Sequence, residues 1–237
     1  MLFYNSPMTI FDSDNEKIIE QPLRPKDAAT LVLVKRDGDT HRVLMGLRPG
    51  SMAFMANKYV FPGGRVDPGD QRIRSASELL PHVAARTGVA SGRARGLALA
   101  AIRETFEETG ILLGERADKV PRTRAPAWAK FFAHKVMPRL DNFEMIARAI
   151  TPPNRTRRFD ARFFMADAGA IAHQIDAAEN EELLKPEWLT LAEARALDLP
   201  SITRTVLGEV EARLGGDTMR PMPFYRFSRG KPSLVHI

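Results

Sequence analysis

The sequence predicts an α/β protein in which a mixed β-sheet is covered by helices. Three observations predict it. Short apolar, β-rich runs at 28–35, 42–48, 58–61, 160–166 and 183–190 alternate with segments of helical period. No internal repeat or low-complexity tract points instead to a solenoid or an unfolded chain. An apolar content of 44% with 27% charged residues, spread over 237 positions, is enough for a full core.

Residues 1–26 form an N-terminal arm with turn residues and no clear period. The run 28–35 (Ala-Ala-Thr-Leu-Val-Leu-Val-Lys) follows as a buried strand. The run 42–48 is its partner, and Asp37-Gly38-Asp39 between them is a hairpin signal. A loop of unusual apolar character spans 49–57. The short strand 58–61 then leads into Phe61-Pro62-Gly63-Gly64-Arg65-Val66-Asp67-Pro68-Gly69-Asp70, a glycine-rich turn that lets backbone approach a ligand or metal closely. Ser75 and Glu78 have capping-box spacing at the head of an amphipathic segment, 75–86, with Pro81 expected to disturb it. The Gly/Ser/Arg-rich stretch 88–96 is expected to be a turn.

The stretch Arg103-Glu104-Thr105-Phe106-Glu107-Glu108-Thr109-Gly110 organises the rest. At about 100° per residue, Glu104, Glu107 and Glu108 share one side of a helix within one turn. Leu99, Ile102 and Phe106 form the apolar back, and Ala100 and Ala101 are expected to flank the acidic side and leave room above it. Gly110 ends the helix where a left-handed residue is wanted. Like charges at i, i+3 and i+4 weaken a bare helix by a few tenths of a kcal/mol per pair, roughly. A hard divalent cation reverses that penalty, because Mg²⁺ prefers oxygen ligands.

Downstream, 127–135 reads as a helix with Trp128, Phe131 and Phe132 on one side. The turn-prone Thr151-Pro152-Pro153-Asn154 precedes the strand 160–166, and Trp188 lies on the strand 183–190. Helices follow at 191–197 and 201–214, the second capped by Ser201 and closed by Gly215-Gly216, and the proline-rich end is expected to be irregular.

Composition excludes several classes. The absence of cysteine removes disulfides, thiolate metal sites and a thiol nucleophile, and fits a reducing cytoplasm. The start, Met1-Leu2-Phe3-Tyr4-Asn5-Ser6, has neither the basic nor the apolar region of a signal peptide. No apolar run approaches the roughly 20 residues that cross a bilayer. A net charge of +6 favours anionic partners, and arginine, which dominates the basic residues, matches phosphate oxygens with its fork.

The glycine turn at 61–70 and the R-E-x-x-E-E-x-G helix at 103–110 together resemble the Nudix hydrolase signature. The resemblance implies an α/β/α sandwich and a Mg²⁺- or Mn²⁺-dependent enzyme that cleaves a diphosphate joined to another moiety. It implies that Glu107 and Glu108 are the main metal ligands, and that Glu104 shares a metal or helps deprotonate the attacking water. Arg103 would pair with this cluster, and the carbonyl of Gly63 would reach the metal. A further metal-binding carboxylate is expected from Ala178-Glu179-Asn180-Glu181-Glu182, with Glu182 first and Glu179 and Glu181 next; a solvated acidic loop is the alternative. The implied Nudix domain covers 27–200, with 201–237 as a C-terminal helix and tail packed on it.

Two departures stand out. Thirty-two residues separate Asp70 from Arg103, far more than the family's short spacer, so 71–96 is an insertion that serves either as decoration or as a lid. Asp70 replaces the family's glutamate and is assigned to a structural salt bridge. Thr105, where an aliphatic residue is usual, is read as a satisfied hydroxyl on a buried flank.

Leu44-Met45-Gly46-Leu47-Arg48, Met52, the insertion, and Arg157-Arg158-Phe159-Asp160-Ala161-Arg162-Phe163-Phe164 are similar to the coenzyme A-cleaving Nudix subgroup, especially the peroxisomal coenzyme A diphosphatase. The full coenzyme A motif, with a histidine before the FPGG strand, is not met. That similarity implies coenzyme A or acyl-coenzyme A as substrate, split to 3′,5′-ADP and 4′-phosphopantetheine species. Arg48, Arg65, Arg157 and Arg158 are the expected substrate-binding residues. Arg155 and Arg162 join Arg157 and Arg158 as candidates for the extra phosphate, unless they solvate a turn or pair with Asp160. The alternatives are a hydrolase of NADH or ADP-ribose and, in another class, a non-catalytic nucleotide-binding sensor. Nucleic acid is disfavoured, because the chain has no RNP-like aromatic pattern. The expected setting is a cytoplasmic protein with a small-molecule diphosphate partner and, as in many relatives, a homodimer.

Overall fold

A computed structural model describes residues 21, 23–52, 55–176 and 183–237. In chain order the strands and helices are β1 (Lys26–Asp37), β2 (Thr40–Leu47), β3 (Tyr59–Val60), β4 (Gly63–Arg65), α1 (Pro81–Arg86), α2 (Ser91–Thr109), β5 (Ile111–Leu113), β6 (Glu115–Arg116) and α3 (Pro126–Ala133). There follow β7 (Val136–Met137), β8 (Glu144–Ile150), β9 (Phe159–Asp167), β10 (Ile171–Gln174), β11 (Leu184–Thr190), α4 (Leu191–Ala196), α5 (Ser201–Leu214), β12 (Pro223–Ser228) and β13 (Lys231–His236).

The main sheet runs β11-β2-β1-β9-β8-β12-β13, with β3 and β4 paired to β2 and β1. It is mixed, since β1–β9 and β8–β12 are parallel and the remaining pairs antiparallel. The β1–β2 hairpin closes between Asp37 and Thr40, and Gly38 takes φ +60° at the first central position, which favours glycine in a two-residue loop.

Side-chain alternation along β1 makes the sheet two-faced. Leu31 and Leu33 point into one core with Leu97, Leu99, Ile102 and Phe106 of α2 and Trp128, Phe131 and Phe132 of α3. Val32 and Val34 point into the other, with Ala194 of α4 and Val206, Leu207 and Val210 of α5. Each buried Val, Leu, Ile or Phe side chain among these contributes roughly 1.5–3 kcal/mol. The result is the expected α/β/α sandwich.

Several local expectations change. The strand β8 has no counterpart in the sequence reading, because a register shift between Met145 and Ala147 buries 145, 146 and 147 in succession and hides the alternation. The end of the chain is not irregular. It forms the β12–β13 hairpin, with Arg229 and Gly230 both at positive φ in the turn, Pro223 opening β12 and Pro232 on the outermost strand. Ser201 is the first residue of α5, and Pro200 occupies the cap position.

The insertion also folds differently. Ser75 Oγ does bond Glu78 Oε1 at 2.9 Å, but no helix starts there, and Pro81 opens α1 rather than disturbing a longer helix. Of the stretch expected to be a turn, 88–90 lies outside the helices with Gly88 at φ 70°, while 91–96 becomes the start of α2, where Gly96 lets the helix pass close to Gln71. Ala100 and Ala101 are fully buried against the core instead of leaving space beside the acidic side. Arg95 ties the insertion to α2 by bonding Glu78, Ser75 Oγ and the Gln71 carbonyl. Ile73 and Val83 enter the main core. The insertion is therefore a packed addition.

Among the described residues no helix is long and apolar enough to cross a membrane.

Candidate active site

The site forms where the last turns of α2 pass behind the glycine turn after β3. Gly110 takes φ 71° and its N–H bonds the Phe106 carbonyl, which stops α2 and fixes its acidic end beside β4. Gly63 cannot be replaced without shifting β1, since an added Cβ would lie 2.6 Å from the Ala29 carbonyl oxygen and 2.7 Å from Thr30 Cα. Thr105 is buried and donates its hydroxyl to the Ala101 carbonyl at 2.8 Å, as expected for a satisfied flank residue.

Arg103 is the hub. Its Nη1 donates to Glu104 Oε1 at 2.8 Å and to Glu107 Oε2 at 2.7 Å. Its Nε and Nη2 grip Asp70 Oδ1 and Oδ2 at 3.0 and 3.1 Å, and Nη2 also reaches the Arg65 carbonyl at 2.8 Å. Burial disfavours the guanidinium charge, but hydrogen bonds to Asp70 and Glu107 and the charges of Glu104 and Asp70 more than compensate, so its pKa is raised. Asp70 is fully buried and also accepts from Trp128 Nε1 at 2.8 Å and from the Asp67 N–H at 2.8 Å. Asp70 is thus the structural partner of Arg103, and the insertion after it leaves that pairing intact.

Glu108 turns to the glycine turn, where its Oε2 accepts the Gly63 N–H at 2.9 Å. Glu104 lies against Gly64: a Cβ there would sit 2.5 Å from Glu104 Cδ. Glu107 is the most open, with its side chain 39% exposed. The three carboxylates therefore gather around Arg103 and Gly63-Gly64 rather than around one point. Among the described residues, no three Asp, Glu or His side chains already form a metal-holding group. The donor chemistry still fits a hard divalent cation, since three acidic side chains and the glycine backbone meet in one cleft.

That cleft has a volume of about 1270 Å³. Glu104, Glu107 and Glu108 line it together with Arg103, Gly63 and Gly64, and basic residues surround them: Arg24, Lys26, Arg48, Arg65, Lys130, Arg157 and Arg158. No residue of 71–96 lines it. A second cavity of about 230 Å³ adjoins it on the α5 side of the sheet and shares Arg48, Gly63, Gly64, Arg157 and Phe159 with it. This slot is largely apolar, with Phe61, Phe163, Ala149 and Ile202 among its walls and Arg155 and Thr151 beside them.

The arginines separate into groups. Arg48, Arg65, Arg157 and Arg158 all border the cleft. Arg65 also stands 3.5 Å from Asp67. Arg162 is fully buried and pairs with Asp27 and Asp160 at 3.0 and 3.1 Å, so it is a core ion pair and not a phosphate ligand. Arg158 donates to the backbone carbonyls of Leu23 and Thr151. Glu182, with Glu179 and Glu181, lies outside the described residues. The sequence reading missed Arg24, Lys26 and Lys130 as cleft residues. Arg24 and Lys26 sit in an arm without periodicity, so only their charge could have marked them.

Gly64→Ala tests the packing of Glu104. The added methyl displaces a flexible carboxylate and no backbone, so the protein is expected to fold normally while turnover falls at least about tenfold, about 1.4 kcal/mol of barrier. Thermal unfolding and steady-state rates measured on one preparation check this.

No family model matches the chain. It is 29% identical to "Putative nudix hydrolase 7" of Caenorhabditis elegans over 150 residues, 59% of this chain and 43% of that protein. The chain thus spans less than half the length of that relative. Among solved structures, it superposes on a NUDIX hydrolase from Alicyclobacillus acidocaldarius with a TM-score of 0.62 and 25% identity, covering 78% of this chain and 90% of the other. With the mixed sheet between helices, these similarities support the Nudix hydrolase superfamily for this chain.

Proposed function

We propose that the protein is a divalent-metal-dependent diphosphatase that hydrolyses a nucleoside diphosphate derivative, with coenzyme A or acyl-coenzyme A as substrate. One observation carries the reading: Glu104, Glu107 and Glu108 line a cleft edged by seven basic side chains that opens beside an apolar slot. A diphosphate needs the basic border, the acids need a cation, and the slot suits the uncharged part of the same molecule.

Glu107 and Glu108 would hold Mg²⁺ or Mn²⁺, with Glu104 and the Gly63 backbone beside them. When bound, such an ion neutralises phosphoryl oxygens and lowers the pKa of water. The chain supplies the remainder. Arg103, fixed by Asp70, keeps Glu104 and Glu107 from repelling each other before substrate arrives. Glu104, pressed against Gly64, is the base that takes the proton from the attacking water. The basic border screens the phosphate charge and orients the P–O–P bridge. Water adds to one phosphorus, the bridge bond breaks, and each product keeps one phosphate of the former diphosphate. From coenzyme A these are 3′,5′-ADP and 4′-phosphopantetheine. Arg48, Arg155 and Arg157, which border the slot, would meet the extra phosphate of that substrate.

The test is a panel of coenzyme A, acyl-coenzyme A, NADH and ADP-ribose incubated with Mg²⁺ and with Mn²⁺, with products identified by mass. Coenzyme A is expected to be split into the two products named. Cleavage of NADH or ADP-ribose with coenzyme A untouched would overturn the substrate. Binding with no hydrolysis of any compound would favour a sensor module.

A further inference from the structure

We infer that Arg158 is a positioning residue that straps segment 23–26 against the cleft wall and so holds Arg24 and Lys26 beside the bound phosphates. The inference rests on the reading of the cleft as a diphosphate site. Arg158 ties two pieces of chain that lie largely outside the regular elements. Its Nη1 donates to the Leu23 carbonyl, and its Nε donates to the Thr151 carbonyl at 3.1 Å. Its own carbonyl accepts the Lys26 N–H at 2.9 Å, where β1 begins to pair in parallel with β9.

The loop 151–158 is closed at its base, since the Thr151 N–H bonds the Phe159 carbonyl at 2.9 Å and Thr151 Oγ1 accepts the Phe159 N–H at 3.0 Å. One guanidinium therefore transfers the rigidity of that base to the arm. Leu23, Arg24 and Lys26 are exposed, and all three line the cleft. Partial burial lowers the Arg158 pKa, yet a guanidinium stays charged at neutral pH. Two of its three guanidinium nitrogens serve backbone carbonyls on the loop and the arm, which is the geometry of a residue that acts through the arm.

The experiment compares wild type, Arg158→Ala, Arg158→Lys, the double variant Arg24→Ala/Lys26→Ala, and the triple variant that adds Arg158→Ala to the double. Amide hydrogen exchange over 23–27 is expected to quicken at least about tenfold in Arg158→Ala. KM for the diphosphate substrate should rise about fivefold with kcat within about twofold, and Arg158→Lys should recover part of the loss. The triple variant should bind no more weakly than the double, because the strap has nothing left to present. Additive losses in the triple variant would overturn the inference, since Arg158 would then touch phosphate itself. So would unchanged exchange, or an unchanged KM, in Arg158→Ala. A wild-type protein that turns over no diphosphate would sink the hydrolase reading instead. Exchange, and ADP affinity across the same variants, would still decide whether Arg158 holds the arm.

Discussion

Glu108→Gln is expected to lower kcat about a thousandfold, about 4 kcal/mol of barrier, while the protein keeps its fold. Glutamine is almost the same shape as glutamate, and its amide oxygen can still accept the Gly63 N–H that Glu108 Oε2 receives at 2.9 Å. Packing at this buried position therefore survives the exchange. Only the negative charge is lost, and with it most of the attraction for a divalent cation next to Glu107. Initial rates with Mg²⁺ and Mn²⁺, beside a far-UV spectrum and a melting curve, check the expectation. A variant that keeps near-normal turnover would remove Glu108 from the metal site.

Asp70→Ala is expected to act in the opposite way, on stability first. Asp70 holds two arms of the Arg103 fork, the Trp128 indole N–H and the Asp67 N–H, and it is fully buried. Removal leaves a buried guanidinium half-paired and an indole donor without its acceptor. Breaking a buried pair from one side costs about 3–5 kcal/mol. For a chain of this size that is a fall in Tm of roughly 6–20 °C. Asp70→Asn, which keeps an acceptor for Trp128, should lose less. Urea or thermal unfolding separates the two variants, and a loss below about 1 kcal/mol for alanine would contradict the hub role of this pair.

Much of this arrangement could be read from the residues. The helix ending at Gly110, its apolar back of Leu99, Ile102 and Phe106, and the nearby glycine turn all followed from periodicity and glycine chemistry. So did the salt-bridge role of Asp70 and the satisfied hydroxyl of Thr105. What stayed hidden depends on tertiary contacts. A bulge between Met145 and Ala147 erased the alternation that marks a strand. Gly96 inside α2 imitated a turn, because a helix that passes close to Gln71 needs a small residue there. Prolines at the chain end imitated irregular structure, because a strand's first residue and an outermost strand tolerate them. The burial of Arg162 between Asp27 and Asp160 depends on β1 meeting β9 across more than a hundred residues, and no local pattern announces it.

The central claim is that the acidic end of α2 gathers a divalent cation next to the Gly63-Gly64 turn. A crystal soaked in MnCl₂ and recorded at the manganese edge tests it most directly. The account predicts an anomalous peak bounded by the carboxylates of Glu107 and Glu108, with Glu104 beside it. A peak elsewhere, with Glu104 and Glu107 still closed on Arg103, would contradict it.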